Sequence, residues 1–188
     1  MLRIVEESPA DLLPREALLD AAFGLDRHAK TCERLREGRL PVEGLALVAR
    51  DGDALVGTLR FWHVATGDGR PCLMLGPLAV ADSHRALGIG GMMMRRGLTL
   101  AGAYGHTAVL LVGDEPYYRR FGFSRALAEG LDLPGWYQPE RFLGLELQPG
   151  ALDGASGMVA ATGAHDADGM PRFGDPVAGP AAEVARHR

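Results

Sequence analysis

The sequence of 188 residues has few cysteines, a single lysine and no long hydrophobic run. Cys32 and Cys72 are far apart and belong to no cluster of cysteine and histidine with metal-ligand spacing, so no metal site is predicted. We expect both to be buried thiols in a reducing compartment, which favours a cytoplasmic protein. No stretch reaches the ~20 apolar residues of a membrane span, and the first residues lack a secretory signal.

An excess of basic charge is also missing. The chain has 20 lysine and arginine residues against 24 aspartate and glutamate residues, a net charge of -4, which argues against general nucleic-acid binding. Its length and its 47% hydrophobic content are typical of one globular domain with a stable core. The composition therefore predicts a protein that has neither a membrane nor a nucleic acid as its partner.

The most informative segment is a glycine turn, Arg85–Gly90, between an apolar run at Cys72–Val80 and a helix-like run at Gly91–Tyr104. This order predicts a strand, a turn and a helix. The first N–H groups of such a helix have no partner, and together with the helix dipole they form an anion site. Glycine lets the backbone itself approach a phosphate. The segment therefore predicts a phosphorylated ligand.

Two common phosphate motifs are excluded by single residues. A dinucleotide fingerprint needs a third glycine where this chain has Met93, and a P-loop needs a lysine, whereas the one lysine is Lys30. Because 26 glycines produce Gly-x-Gly patterns by chance, a turn without a ligand is the plain alternative. A nucleotide- or phosphate-binding protein of an unrelated kind is a further alternative.

Three motifs in order carry a family resemblance. Residues 75–80 read Leu-x-Pro-Leu-x-Val, residues 85–90 read Arg-x-x-Gly-x-Gly, and residues 118–123 read Tyr-x-x-x-Gly-Phe. This pattern resembles the Gcn5-related N-acetyltransferases (GNAT), specifically those with small acceptors, over about Leu2 to Leu147. The resemblance implies an α/β (α+β) fold with a mixed, mostly antiparallel central sheet. Its fourth and fifth strands are parallel and splayed, and helices cover both faces.

Hydrophobic patterning predicts the individual elements. Helices are predicted after Ser8-Pro9 and closed by Gly24, at Arg27–Arg36, at Gly91–Tyr104 and from Pro116 onward. The predicted apolar face of the first helix consists of Leu12, Leu13, Ala17, Leu18 and Ala21. Strands are predicted at Leu2–Glu6, Ala46–Arg50, Ala54–His63, Cys72–Val80, Ala108–Val112, Phe142–Leu147 and near Ser124.

The composition changes after Gly150, so we predict an acetyltransferase domain at residues 1–150 and a Gly/Ala-rich tail at 151–188. A flexible tail is one interpretation, because the tail has too few apolar side chains for their burial to offset the conformational entropy that it would lose on ordering. Packing along the domain or across a dimer, with Phe173 as anchor, is the other.

The resemblance implies that acetyl-CoA is a co-substrate, with no metal, and that the acetyl group passes directly to an amine of a small molecule or peptide. A non-catalytic acyl-CoA sensor or interaction module is the alternative. Acetyl-CoA and an unidentified amine are the implied partners, and a homodimer is left open because dimers are common in the family.

The resemblance also implies the contacts to acetyl-CoA. In the family a bulge in the fourth strand frees backbone groups for the pantetheine amides, and Pro77, which lacks an N–H, suits an edge or bulge. The implied cofactor-binding residues are Leu78, Ala79, Val80, Arg85, Ala86, Leu87, Gly88, Ile89, Gly90 and Gly91. Arg95 or Arg96 is placed to reach the 3′-phosphate of coenzyme A.

Tyr118 occupies the family position of the general acid that protonates the departing thiolate, and a packing role is its alternative. Tyr117 is the reserve candidate. Acyl transfer also requires the amine to lose a proton, yet Leu73–Val80 contains no acid. Candidates for the base are His63, Asp114 and Glu115, and an ordered-water relay, although Asp114 also suits a helix N-cap. Trp136 either walls the acceptor site or is a core residue.

Overall fold

In a computed structural model that describes residues 1–166, the chain forms a central sheet flanked by helices. The strands are β1 Leu2–Glu6, β2 Ala46–Asp51, β3 Ala54–Ala65, β4 Pro71–Val80, β5 Ala108–Val112, β6 Leu131–Asp132, β7 Phe142–Glu146, β8 Gly157–Met158 and β9 Ala160–Ala161. The α-helices are α1 Leu12–Phe23, α2 Ile89–Ala103 and α3 Glu115–Tyr118. None of the helices within residues 1–166 is long and apolar enough to span a membrane.

The main sheet has the order β1-β2-β3-β4-β5-β7, and β9 pairs with the end of β3. Its pairs are antiparallel except for β4 and β5, which run parallel. Side chains of β3 pack on both sides of the sheet: Phe61 packs with Met93 of α2, whereas Leu55, beyond a register shift against β2, packs with Leu18 and Leu19 of α1. The fold class predicted from the motifs, with helices on both faces, is confirmed.

The parallel pair β4 and β5 separates almost at once. Only Leu73 and Met74 of β4 pair with β5, at Val109 and Leu110. The rest of β4 stays paired with β3 on its other edge, so its edge toward β5 is unpaired from Leu75 onward. A gap therefore opens between the two central strands, as the splayed arrangement predicted.

A bulge interrupts β4 at the start of this gap. Leu59 of β3 pairs with Leu78 and Phe61 pairs with Leu75, so two β4 residues lie opposite one residue of β3. Those two residues are Gly76 and Pro77. At a bulge the missing N–H of proline costs no hydrogen bond between strands, which is why this sheet tolerates Pro77 in a central strand.

The predicted apolar face of α1 is wrong for most of its members. Leu18 is buried, but Leu13 is 78% exposed, and the buried positions include Arg15. The Arg15 guanidinium forms ion pairs with Glu7 and Glu16. A charged side chain can occupy a buried face only when partners neutralise it, and hydrophobic periodicity does not reveal such partners.

Several other elements differ from the prediction. Residues predicted as a second helix form two 3₁₀ segments, Leu25–Ala29 and Thr31–Leu35, separated by an extended Lys30. The strand predicted near Ser124 is a single bridge to Gly144. Strands β6, β8 and β9 are two residues each, which is too short for any alternating pattern.

The first residues after Gly150 continue the packed structure. Leu152 and Val159 are buried against the face of the sheet that carries Trp62, and β9 pairs with Val64 and Ala65. Phe173, the predicted anchor of the packed alternative, lies outside the described residues.

Candidate active site

A cleft of about 480 Å³ opens at the gap between β4 and β5. Its lining comes from three parts of the chain that are distant in sequence: the end of β4, the turn before α2, and the segment after β5. The lining residues are Leu78, Val80, Arg85, Gly90, Asp114, Tyr117 and Tyr118. The structure thus brings residues of all three sequence motifs to one place.

The free edge of β4 presents only alternate residues to the cleft. Because the Ala81 N–H donates to the Val56 carbonyl of the neighbouring chain segment, the antiparallel pattern directs the backbone groups of Ala79 toward β3. The same alternation directs the N–H and C=O groups of Leu78 and Val80 into the gap. The Ala79 side chain is also buried, against α1. Of the three β4 residues predicted to contact a ligand, the geometry favours Leu78 and Val80.

The turn before α2 has the conformation of an anion-binding loop. Ala86 and Gly88 both have positive φ angles, 65° and 75°, and such alternating conformations direct successive N–H groups to one side. For Ala86 this conformation costs about 1 kcal/mol or more, which is typical of functional loops. The first-turn N–H groups of α2 lack intrahelical partners and extend the same surface.

Side chains in this turn have different surroundings. Leu87 is 64% exposed, whereas Ile89 is fully buried in the core beneath α2, so Ile89 can offer a ligand only its backbone. Arg85 is exposed and pairs with Asp82 at 2.8 Å. Gly90 lines the cleft, and a Cβ added there would lie 2.9 Å from the Tyr117 hydroxyl oxygen.

Two further arginines reach the start of α2. A Cβ added at Gly91 would lie 3.6 Å from Arg95 and 3.9 Å from Arg120. The Arg120 guanidinium stacks on the Tyr117 ring, 4.0 Å from its centroid, which holds it beside the turn. Arg120 was not predicted as a site residue from the sequence, although it lies within the Tyr-x-x-x-Gly-Phe motif. Guanidinium groups match phosphate oxygens, so this rim suits an anionic ligand.

Tyr118 lies half-buried at the inner end of the cleft, with its ring edge-on to Tyr117 and Phe123. Burial, with a smaller contribution from the neighbouring Tyr117 and Asp114, raises the pKa of its phenol to about 12. The phenol is therefore neutral at physiological pH and remains a hydrogen-bond donor. Gly113, another residue missed from the sequence, packs against this ring.

The candidate bases are placed very differently. His63 is wrong as a base for this cleft: it pairs with Leu73, roughly 15 Å along the sheet from Leu78, and lies instead beside His106. Asp114 does line the cleft. It also occupies the predicted N-cap position of α3, although its carboxylate makes no cap hydrogen bond and pairs instead with Arg141 at 3.2 Å.

The remaining predictions concern Trp136, the two cysteines and metal binding. Trp136 is 82% exposed, so it is not a core residue. Cys72 is buried, which raises the pKa of its thiol to about 11, but Cys32 is only half-buried. Within residues 1–166, no three His, Cys, Asp or Glu side chains are grouped so as to hold a metal ion.

A sheet split between parallel strands, with an anion-binding helix N-terminus and a tyrosine at the split, defines an acyltransferase of the N-acetyltransferase type. The family model described as Acetyltransferase (GNAT) family matches residues 14–123. The chain belongs to this family.

Relatives with similar sequences and structures agree. The uncharacterised N-acetyltransferase YhbS of Escherichia coli K12 is 30% identical over 154 residues, 81% of this chain and 92% of YhbS. The crystal structure of E. coli YhbS in complex with CoA has a TM-score of 0.70 at 32% identity, covering 86% of this chain and 89% of that one. A GNAT acetyltransferase of Brucella melitensis in complex with acetyl-CoA has a TM-score of 0.63 at 27% identity, covering 86% and 96%.

Proposed function

We propose that this N-acetyltransferase transfers the acetyl group of acetyl-CoA directly to an amine, with Tyr118 as the proton donor to the leaving sulfur. One observation carries the proposal: the free edge of β4, the N-terminus of α2 and the Tyr118 phenol all face the same cleft. The CoA and acetyl-CoA bound to the two similar structures support the choice of donor.

The backbone supplies most of the donor's contacts. The loop Arg85–Gly88 and the first turn of α2, Ile89 to Gly91, bind the pyrophosphate through N–H groups, and the helix dipole adds to the attraction. The N–H and C=O groups of Leu78 and Val80 pair with the pantetheine amides, and an N–H at this edge also suits a developing oxyanion. Arg120 contributes charge at the rim.

Tyr118 acts when the bond between carbon and sulfur breaks. As the amine nitrogen bonds to the carbonyl carbon, the electron pair of the C–S bond leaves with sulfur, and Tyr118 donates a hydrogen bond to it. Full transfer from a phenol of pKa about 12 to a thiolate of pKa about 8.5 would be uphill by roughly 5 kcal/mol. As the amide forms, the attacking nitrogen loses a proton that returns to Tyr118, which offsets this cost and leaves the phenol neutral again.

The donor assignment is tested by calorimetric titration of acetyl-CoA, with NADH and ATP as controls. We expect selective binding of acetyl-CoA by the wild-type protein and none by Gly90→Glu, which places bulk and negative charge in the phosphate loop. Gly102→Glu is the matched control, because Gly102 lies on the same helix with open space around it. Tight binding by the Gly90 variant would remove the loop from the donor site.

The role of Tyr118 is tested by Tyr118→Phe. We expect kcat to fall about 100-fold, the range of a lost general acid, while the Kd for acetyl-CoA changes less than threefold. Unchanged kcat would remove Tyr118 from the chemistry, and lost binding would make it a packing residue.

A further inference from the structure

On the face of the sheet opposite α2, the segment after α1 brings a pair of charged side chains, Glu33 and Arg36, to the β4 bulge. Leu35 packs there with Trp62 and Met74, and Arg36 follows it. The Arg36 Nη1 atom lies 3.8 Å from the position that a Cβ on Gly76 would occupy. Gly76 belongs to the β4 bulge, two residues before Leu78 of the cleft.

The Arg36 guanidinium is held in place but not fully used. Its Nε group donates to Glu33 Oε2 at 2.9 Å, and Nη2 forms an ion pair with the same oxygen at 2.8 Å. The two side chains are only 13% and 16% exposed. Among residues 1–166 no atom accepts a hydrogen bond from Nη1. A largely desolvated cation therefore directs free N–H donors toward the bulge.

The surroundings keep this guanidinium in position. The 3₁₀ segment Thr31–Leu35 is tethered to the loop before β7, because Thr31 Oγ1 donates to the Trp136 carbonyl and Arg34 donates to the Pro134 carbonyl at 2.9 Å. On the other side, the Trp62 indole N–H donates to the Gly76 carbonyl at 2.6 Å. The donor group and the backbone that it faces are both fixed before any ligand binds.

We propose that the acceptor is an amine that also carries a carboxylate, of the free amino acid type, and that Arg36 binds this carboxylate. The inference rests on the proposed function, since the amine must reach the thioester beside Leu78 and Tyr118. Gly76 and Leu78 are two residues apart, at most about 7 Å along the chain, so a spacer of one to a few carbons joins amine and carboxylate. A guanidinium with free donors binds a carboxylate strongly, whereas it offers no acceptor to the second ammonium group of a polyamine.

The test compares acceptors that differ only in this charge. Release of CoA is measured with glycine, β-alanine and the common L-amino acids, with the carboxamides of the same compounds, and with putrescine. We expect wild-type kcat/KM to be at least tenfold higher for the carboxylates than for the carboxamides. In Arg36→Gln this preference disappears, mainly through a higher KM for the carboxylates. Arg36→Lys retains part of the preference, because it keeps the charge without the fork.

Controls separate the possible failures. Arg3→Gln, an exposed arginine on β1, should behave as wild type. Inhibition by N-acetylglycine should be present in wild type and lost in Arg36→Gln, while acetyl-CoA binding stays unchanged. If wild type does not bind acetyl-CoA, the proposed function fails. If it binds acetyl-CoA but turns over no carboxylate-bearing amine, prefers carboxamides or putrescine, or is indifferent to Arg36→Gln, the Arg36 proposal alone is overturned.

Discussion

Gly113 and Tyr118 are in direct contact: a Cβ added at Gly113 would stand 2.2 Å from Cε2 of the Tyr118 ring. No side chain beyond hydrogen fits between the end of β5 and this ring. The position of the proposed proton donor is thus determined by the absence of a side chain five residues earlier.

Gly113→Ala should displace the Tyr118 ring. We expect kcat to fall tenfold or more, because a misplaced donor no longer reaches the sulfur, while acetyl-CoA still binds at the phosphate loop. Steady-state kinetics and calorimetry on the same sample measure the two effects. Full activity in Gly113→Ala would show that the position of the ring is not critical.

Two glycines of α2 form a matched pair for stability. A Cβ at Gly97 would lie 2.7 Å from the buried Phe61 ring, whereas Gly102 has open space around it. Gly97→Ala should therefore destabilise the protein by about 1–3 kcal/mol through overpacking. Gly102→Ala should stabilise it by about 0.5–1 kcal/mol, the difference in helix propensity. Urea unfolding of both variants measures whether the two changes in the free energy of unfolding have opposite signs. Changes of the same sign would contradict the packing described for α2.

Neighbouring arginines test the rim of the cleft. Arg120 stacks on Tyr117 beside the phosphate loop, whereas Arg119 is 72% exposed and pairs with Glu115. We expect Arg120→Gln to raise the Kd for acetyl-CoA about tenfold, the effect of one lost contact to a phosphate of roughly 1.4 kcal/mol.

Arg119→Gln is the control and should bind as wild type. S-acetylpantetheine, which lacks the nucleotide and the pyrophosphate, distinguishes a phosphate contact from a general one. If Arg120→Gln weakens binding of both ligands equally, Arg120 acts on the shape of the cleft and not on phosphate.

The raised pKa of Tyr118 predicts a loss of stability at alkaline pH. Folding favours the neutral phenol. The contribution of Tyr118 to the free energy of unfolding is therefore fully present below pH 10, where the phenol in the unfolded chain begins to ionise. It is lost as pH rises through the folded pKa of about 12. The loss amounts to roughly 2–3 kcal/mol over that interval.

Unfolding free energies of wild type and Tyr118→Phe, measured between pH 9 and 11.5, isolate this effect from the other titrating groups. The difference between the two proteins should shrink as pH rises. A constant difference would mean that the Tyr118 pKa is the same in both states.

Parts of this fold were predictable because they depend on local pattern. The bounds of β1 and β5 are those predicted, since each is a short run of strand-forming residues with clear ends. The turn before α2 was predictable from its glycines. The buried face of α1 was not, because Arg15 is acceptable there only through Glu7, which another element supplies.

The sequence by itself determined the order of the motifs, the glycine turn that frees N–H groups at a helix start, and the proline that requires a sheet edge or a bulge. These follow from the covalent properties of single residues. Only the tertiary structure decided that β4 and β5 separate after Met74, that Asp114 faces the cleft, and that Arg36 reaches Gly76. Such contacts join segments far apart in the chain, and they depend on how the whole sheet packs, which no local pattern records.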